Sequence, residues 1–153
     1  MKKDKILSNI LFVFGIVLLA YTLYAFVYQT YLTCQINWNL LKGEALSEVR
    51  SFVILDYVNI AVKLIIASYG IYSKKHVDEA INPLFTFTIF YVIFAILQTM
   101  SMFNTITGTT FKEVLNHYKY LVATASIDLI VATFYLVVTL VLKVDDWRAM
   151  TEE

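Results

Sequence analysis

Apolar residues run along the chain in four long blocks, at about 6–31, 51–72, 84–104 and 120–142. Each block is long enough to cross the ~30 Å hydrocarbon core of a bilayer, which takes about 20 residues at ~1.5 Å per residue. Inside hydrocarbon every backbone N–H and C=O must find a partner within its own segment, so blocks of this length read as helices. The pattern predicts an all-α membrane protein whose four transmembrane helices form one domain, an antiparallel bundle. Between the blocks lie polar connections: Thr33 to Arg50, the charged Ser73 to Glu79, and Thr105 to Lys119 with Gly108 as its turn. Asn82 is placed to cap the third helix and Pro83 to occupy its first turn. Lys143 to Glu153 reads as a tail of mixed charge.

Within the blocks, small and polar residues recur at helical spacing. The first has Ser8, Gly15, Thr22 and Gln29 seven apart; the third has Thr88, Tyr91, Ala95, Gln98 and Met102; the fourth has Thr124, Asp128, Ala132, Tyr135 and Thr139. Small and polar residues on one face let membrane helices approach closely and hydrogen-bond, and a seven-residue spacing favours left-handed packing. These seams are the predicted interior.

The second block departs from the rest. Asp56, Asn59 and Lys63 fall at i, i+3 and i+7, one stripe on one helical face. Burying such groups in hydrocarbon costs several kcal/mol each unless they find partners. Helical side chains lean toward the helix N-terminus, so Lys63 reaches toward the level of Asp56 and of Asp128 on the fourth helix, with Asn59 as a bridge. The candidate site is therefore an intramembrane polar network of Asp56, Asn59, Lys63, Asp128, Gln98 and Tyr135. It serves either as a structural ion pair that sets helix register or as an ion or ligand site.

Basic residues set the expected orientation. Lys2, Lys3, Lys5, Lys74, Lys75, Lys143 and Arg148 lie on one side, against Lys42, Arg50, Lys112 and Lys119 on the other. By the positive-inside rule both termini are cytoplasmic. The basic start followed by an apolar run does not read as a signal peptide. The run is about 26 residues against the 7–15 of a signal's apolar region, and Tyr21, Tyr24 and Tyr28 make no small-residue cleavage site. The expected location is a multi-pass position in a bacterial plasma membrane.

Composition narrows the function. Hydrophobic residues make up 59% and charged ones 16%, where a soluble domain has about a quarter charged. Twelve basic residues balance twelve acidic ones, which gives no basic footprint for nucleic acid. Cys34, the one cysteine, excludes an intrachain disulfide and thiol–disulfide exchange between paired thiols. His76 and His117 lie in connections on opposite sides and cannot share a metal within one chain. There is no HExxH pair, no Gly-rich phosphate loop and no evident Ser-His-Asp set at one depth. The chain reads as neither an enzyme nor a cofactor protein. Tyr21, Tyr24 and Tyr28 give the first helix a phenolic stripe suited to packing or to a membrane partner.

Leu41 to Leu46 resembles Phe111 to Leu115, and each stretch precedes a helix with an Asp, at 56 and 128. This weak echo fits either a duplicated hairpin, helices one–two and three–four, or a chance likeness between short hydrophobic segments. Two functions fit. One is an accessory, regulatory or immunity-type protein that works through helix contacts with a membrane-protein partner. The other is an oligomeric channel or carrier whose path is lined by Asp56, Lys63 and Asp128. The expected partners are the lipid bilayer and a membrane protein or further copies of the chain.

Overall fold

The computed structural model describes residues 2–152 apart from Thr109, Phe111, Val114, Leu115, His117 and Tyr118, and omits the side chains of Lys2, Lys3, Asp4, Thr105 and Tyr120. His117, and three of the five residues in the Phe111 to Leu115 echo, therefore lie outside the described residues. The main elements are α1 (Lys2–Gln35), α2 (Gly43–Tyr72), α3 (Val77–Ile106) and α4 (Lys119–Thr151), with a short 3-10 turn at Trp38–Leu40. All four helices are long and apolar enough to cross a membrane. The chain divides into two compact units, Met1–Ala80 and Ile81–Glu153.

Every helix outruns its predicted block, for physical reasons. Neither Gly nor Pro stands between Lys119 and Thr151, so nothing stops α4 at 142, and Arg148 complements its C-terminal dipole. The residues expected to form a tail are helical to Thr151. Likewise α1 runs on to Gln35 and takes in Cys34, while Glu44 to Arg50 form the first turns of α2. Pro83 is not in the first turn of α3 but its seventh residue, because the helix begins at Val77. Asp78 and Glu79 favour that start by opposing the positive N-terminal end. Buried Ala80 and Ile81 anchor it, which offsets the backbone hydrogen bond that Pro83 cannot donate. The residue bringing α3 to its end is Gly108, whose φ of 85° is the left-handed conformation that glycine adopts without steric cost.

In the first unit α1 and α2 form an antiparallel pair. Their partners run in opposite order: Ser8 with Ser73, Phe12 with Lys74, Gly15 with the backbone of Ala67, Gly70 and Ile71, Tyr21 with Lys63, Thr30 with Tyr57. Gly15 is the closest approach. A Cβ there would stand 3.0 Å from both the Ala67 carbonyl oxygen and the Ile71 nitrogen. At one end Ser8 Oγ donates to the Ser73 carbonyl at 2.7 Å, and Ser73 Oγ donates to the Gly70 carbonyl at 2.7 Å. These hydroxyls satisfy carbonyls that the end of α2 leaves without intrahelical donors.

In the second unit α3 and α4 also pair antiparallel. Asn82 and Phe85 meet Lys143, and Tyr91 meets Asp128.

The two units repeat one packing pattern. Buried Ser8, Leu11, Gly15, Leu18 and Thr22 of α1 recur at the same spacing in α3 as Ile81, Leu84, Thr88, Tyr91 and Ala95. Buried Lys63, Ile66, Gly70 and Ser73 of α2 recur in α4 as Ala132, Tyr135, Thr139 and Leu142. Each hairpin also sets a lysine over a phenylalanine of the facing helix, Lys74 on Phe12 at 4.1 Å and Lys143 on Phe85 at 4.7 Å. In this register the counterpart of Asp128 is Asn59, the same pairing that the sequence echo gives when Glu44 to Leu46 is continued from Glu113 to Leu115.

Candidate functional site

The polar residues inside the helices fall into three settings. Lys63 is the first. It is 3% exposed, and its Nζ sits 5.1 Å from the centroid of the Tyr21 ring. A desolvated cation over an aromatic face gains up to about 2 kcal/mol, part of what its burial demands. This is what one member of the phenolic stripe does. The other two, Tyr24 and Tyr28, stack on each other at 6.2 Å.

The second setting is Asp128, 1% exposed on α4. Tyr91 of α3 donates its hydroxyl to Asp128 Oδ1 at 2.7 Å. A hydrogen bond contributes about 0.5–1.5 kcal/mol net in water-soluble proteins, and interhelical bonds in membranes average nearer 0.6 kcal/mol. Small Ala95 and Ala132, both fully buried, lie on the same seams as these two side chains and leave them room. Thr88 and Tyr135 are also fully buried, yet among the described residues the Thr88 Oγ1 and Tyr135 hydroxyl have no hydrogen-bond partner. The half-buried Gln98 has a buried, unpartnered Oε1. An unsatisfied buried polar group costs about 1–3 kcal/mol, so this unit keeps three costly groups in its interior.

Asp56 is the third setting. The stripe of Asp56, Asn59 and Lys63 shares one face by helical period, but its members differ in cover. Buried residues of α2 begin only at Ile60. Asp56 is exposed, Asn59 is half-buried with a buried, unpartnered Oδ1, and Lys63 is buried. The N-terminal half of α2 is held chiefly at Tyr57, which bonds Thr30 at 3.0 Å and meets Phe26 edge-on at 6.0 Å. No hydrogen bond or direct ion pair reaches Asp56 among the described residues. Around Asp56 the helix exposes Phe52, Ile54, Leu55 and Val58, so the carboxylate stands in an apolar surface.

Sequence reasoning places Asp128 and Lys63 in the interior and misses a partner of each within its own unit, Tyr91 and Tyr21. The available signal was chemical: a tyrosine on a predicted seam brings a hydroxyl that needs an acceptor. Elsewhere, Tyr72 donates to Glu79 at 2.5 Å and stacks on His76, whose Nδ1 lies 3.7 Å from Glu79. Exposed His76 thus belongs to a turn cluster, and Cys34 is exposed at the end of α1. Among the described residues no three or more His, Cys, Asp or Glu side chains converge to hold a metal ion. Compared with protein-family models, with curated proteins and with solved structures, the chain matches none of them.

Proposed function

We propose that the chain is a small polytopic membrane protein that acts as an accessory, regulatory or immunity-type partner of another membrane protein. Its four helices pack as an antiparallel bundle with both termini in the cytoplasm, in the plasma membrane of a bacterium. It works through helix contacts and performs no catalysis. One observation carries this reading. Asp56 lies in an apolar, exposed stretch of α2 without a hydrogen bond. An ionisable group inside a membrane span marks a functional contact unless its own chain satisfies it. A photoreactive residue at Leu55, 49% exposed beside Asp56, is expected to trap one protein of fixed stoichiometry in native membranes. The same probe at Ile130, 69% exposed on α4, is expected to trap lipid. Lipid adducts alone from both positions would sink the reading.

A second reading is favoured by the unpartnered Thr88, Gln98 and Tyr135 in the unit that buries Asp128. Oxygen donors of this kind suit a cation, a proton relay or bound water. On this reading the chain is an oligomeric channel or carrier. Purified protein in liposomes would then pass protons or cations, and Asp128→Asn would reduce the flux at least tenfold. Absence of flux across the pH range would exclude it.

A further inference from the structure

We infer that Asp56 receives a lysine or arginine from a transmembrane helix of a different membrane protein. This rests on the accessory reading and names the chemistry of its contact.

The argument starts from what the chain can offer Asp56. Arg50 is the nearest base on the N-terminal side of α2, six residues away and so ~9 Å along the helix. Its side chain leans toward the helix N-terminus and away from Asp56. Lys63 leans toward Asp56, but its ammonium is seated over the Tyr21 ring. The face around Asp56 is fixed in rotation. Tyr57, the next residue, is bonded to Thr30, and Gly15 locks the other half of α2 at Ala67, Gly70 and Ile71. The carboxylate therefore cannot swing under α1.

A second copy of the chain fares no better. Lys5 is in the first turn of α1 and Lys42 precedes α2; Lys74 and Lys75 follow α2; Lys119 begins α4; Arg148 lies in its last turn. Lys143 is held at Phe85 and Asn82. Lys63, the base at mid-span, is buried. Arg50 of a copy would lie ~9 Å nearer the start of α2 and lean away from the level of Asp56, and Lys112 lies in the connection before α4, so none of these bases among the described residues stands exposed beside Asp56 within the span. Charge complementarity thus selects a partner from outside. The open, apolar surround of Phe52, Leu55 and Val58 suits a helix that brings one base in an otherwise apolar face.

The test uses the full chain in native membranes with the photoreactive residue at Leu55. The adduct is mapped by peptide sequencing. The expected attachment is to a transmembrane segment within one helical turn of a lysine or arginine. Asp56→Asn, nearly the same size, should cut the adduct at least tenfold, and Asp56→Glu should retain it. Asp56→Lys together with Asp at the mapped base should restore it. Membrane abundance of each variant is measured alongside, and because Asp56 is exposed it should stay unchanged. A protein adduct that Asp56→Asn does not weaken overturns this inference and leaves the accessory reading standing. Adducts with lipid amines only, or with a second copy only, overturn both.

Discussion

Replacing Gly15 with leucine is expected to separate α1 from α2. A Cβ at position 15 would already be 3.0 Å from a carbonyl oxygen and a backbone nitrogen of α2, and backbone atoms cannot move aside as side chains do. Overpacking a tight site costs about 1–3 kcal/mol, and the branched side chain adds three more carbons to the clash. Membrane helices gain little from hydrophobic exclusion and depend on close van der Waals approach, so losing this contact removes a main source of association. The readout follows from the neighbouring bond. Ser8 and Ser73 meet at 2.7 Å through a hydroxyl and a carbonyl, so a Ser8→Cys, Ser73→Cys pair in a Cys34→Ala background should form a disulfide in membranes. Leucine at position 15 should reduce that disulfide at least fivefold, and alanine should reduce it less. Equal oxidation in all three proteins would show that α1 and α2 do not meet at Gly15.

The second large effect is expected at Asp128. Truncation to alanine removes the acceptor of the Tyr91 hydroxyl bond and opens a cavity at a buried site. The cost should be about 2–3 kcal/mol, measured by unfolding in mixed micelles of rising denaturing-detergent fraction. Asp128→Asn keeps an acceptor for Tyr91 and should cost less. Tyr91→Phe should cost about 1 kcal/mol, and a double-mutant cycle between the two should give a coupling of about that size. Full additivity would mean that the 2.7 Å contact contributes nothing to the fold.

The interior seams were legible because helical period is a property of the chain. Ser8, Gly15 and Thr22, Thr88, Tyr91, Ala95 and Met102, and Asp128, Ala132, Tyr135 and Thr139 are buried, as their spacing predicts, while Gln29, Gln98 and Thr124 of the same seams are half-buried. Helix ends were less legible. Mixed charge at Lys143 to Arg148 and the proline at 83 look like interruptions, yet a helix continues through charge when nothing terminates it. It also tolerates one missing hydrogen bond when buried neighbours hold its first turns. The candidate site was legible in residue type and not in cover. Period puts Asp56 and Lys63 on one face; it cannot say that buried residues of α2 begin only at Ile60.

The sequence by itself determined that four apolar helices exist, which faces of three of them carry small and polar residues, and that Asp56, Asn59 and Lys63 share a stripe. These follow from composition and from 3.6 residues per turn, and neither depends on what packs nearby. Only the tertiary structure decided which of those groups is covered. It seats Lys63 over Tyr21, gives Asp128 the hydroxyl of Tyr91, and leaves Asp56 in the open. Cover and partnership are relations between helices distant in sequence. They depend on where a close approach such as Gly15 against Ala67 and Gly70 sets the register, and no one-dimensional period contains that information.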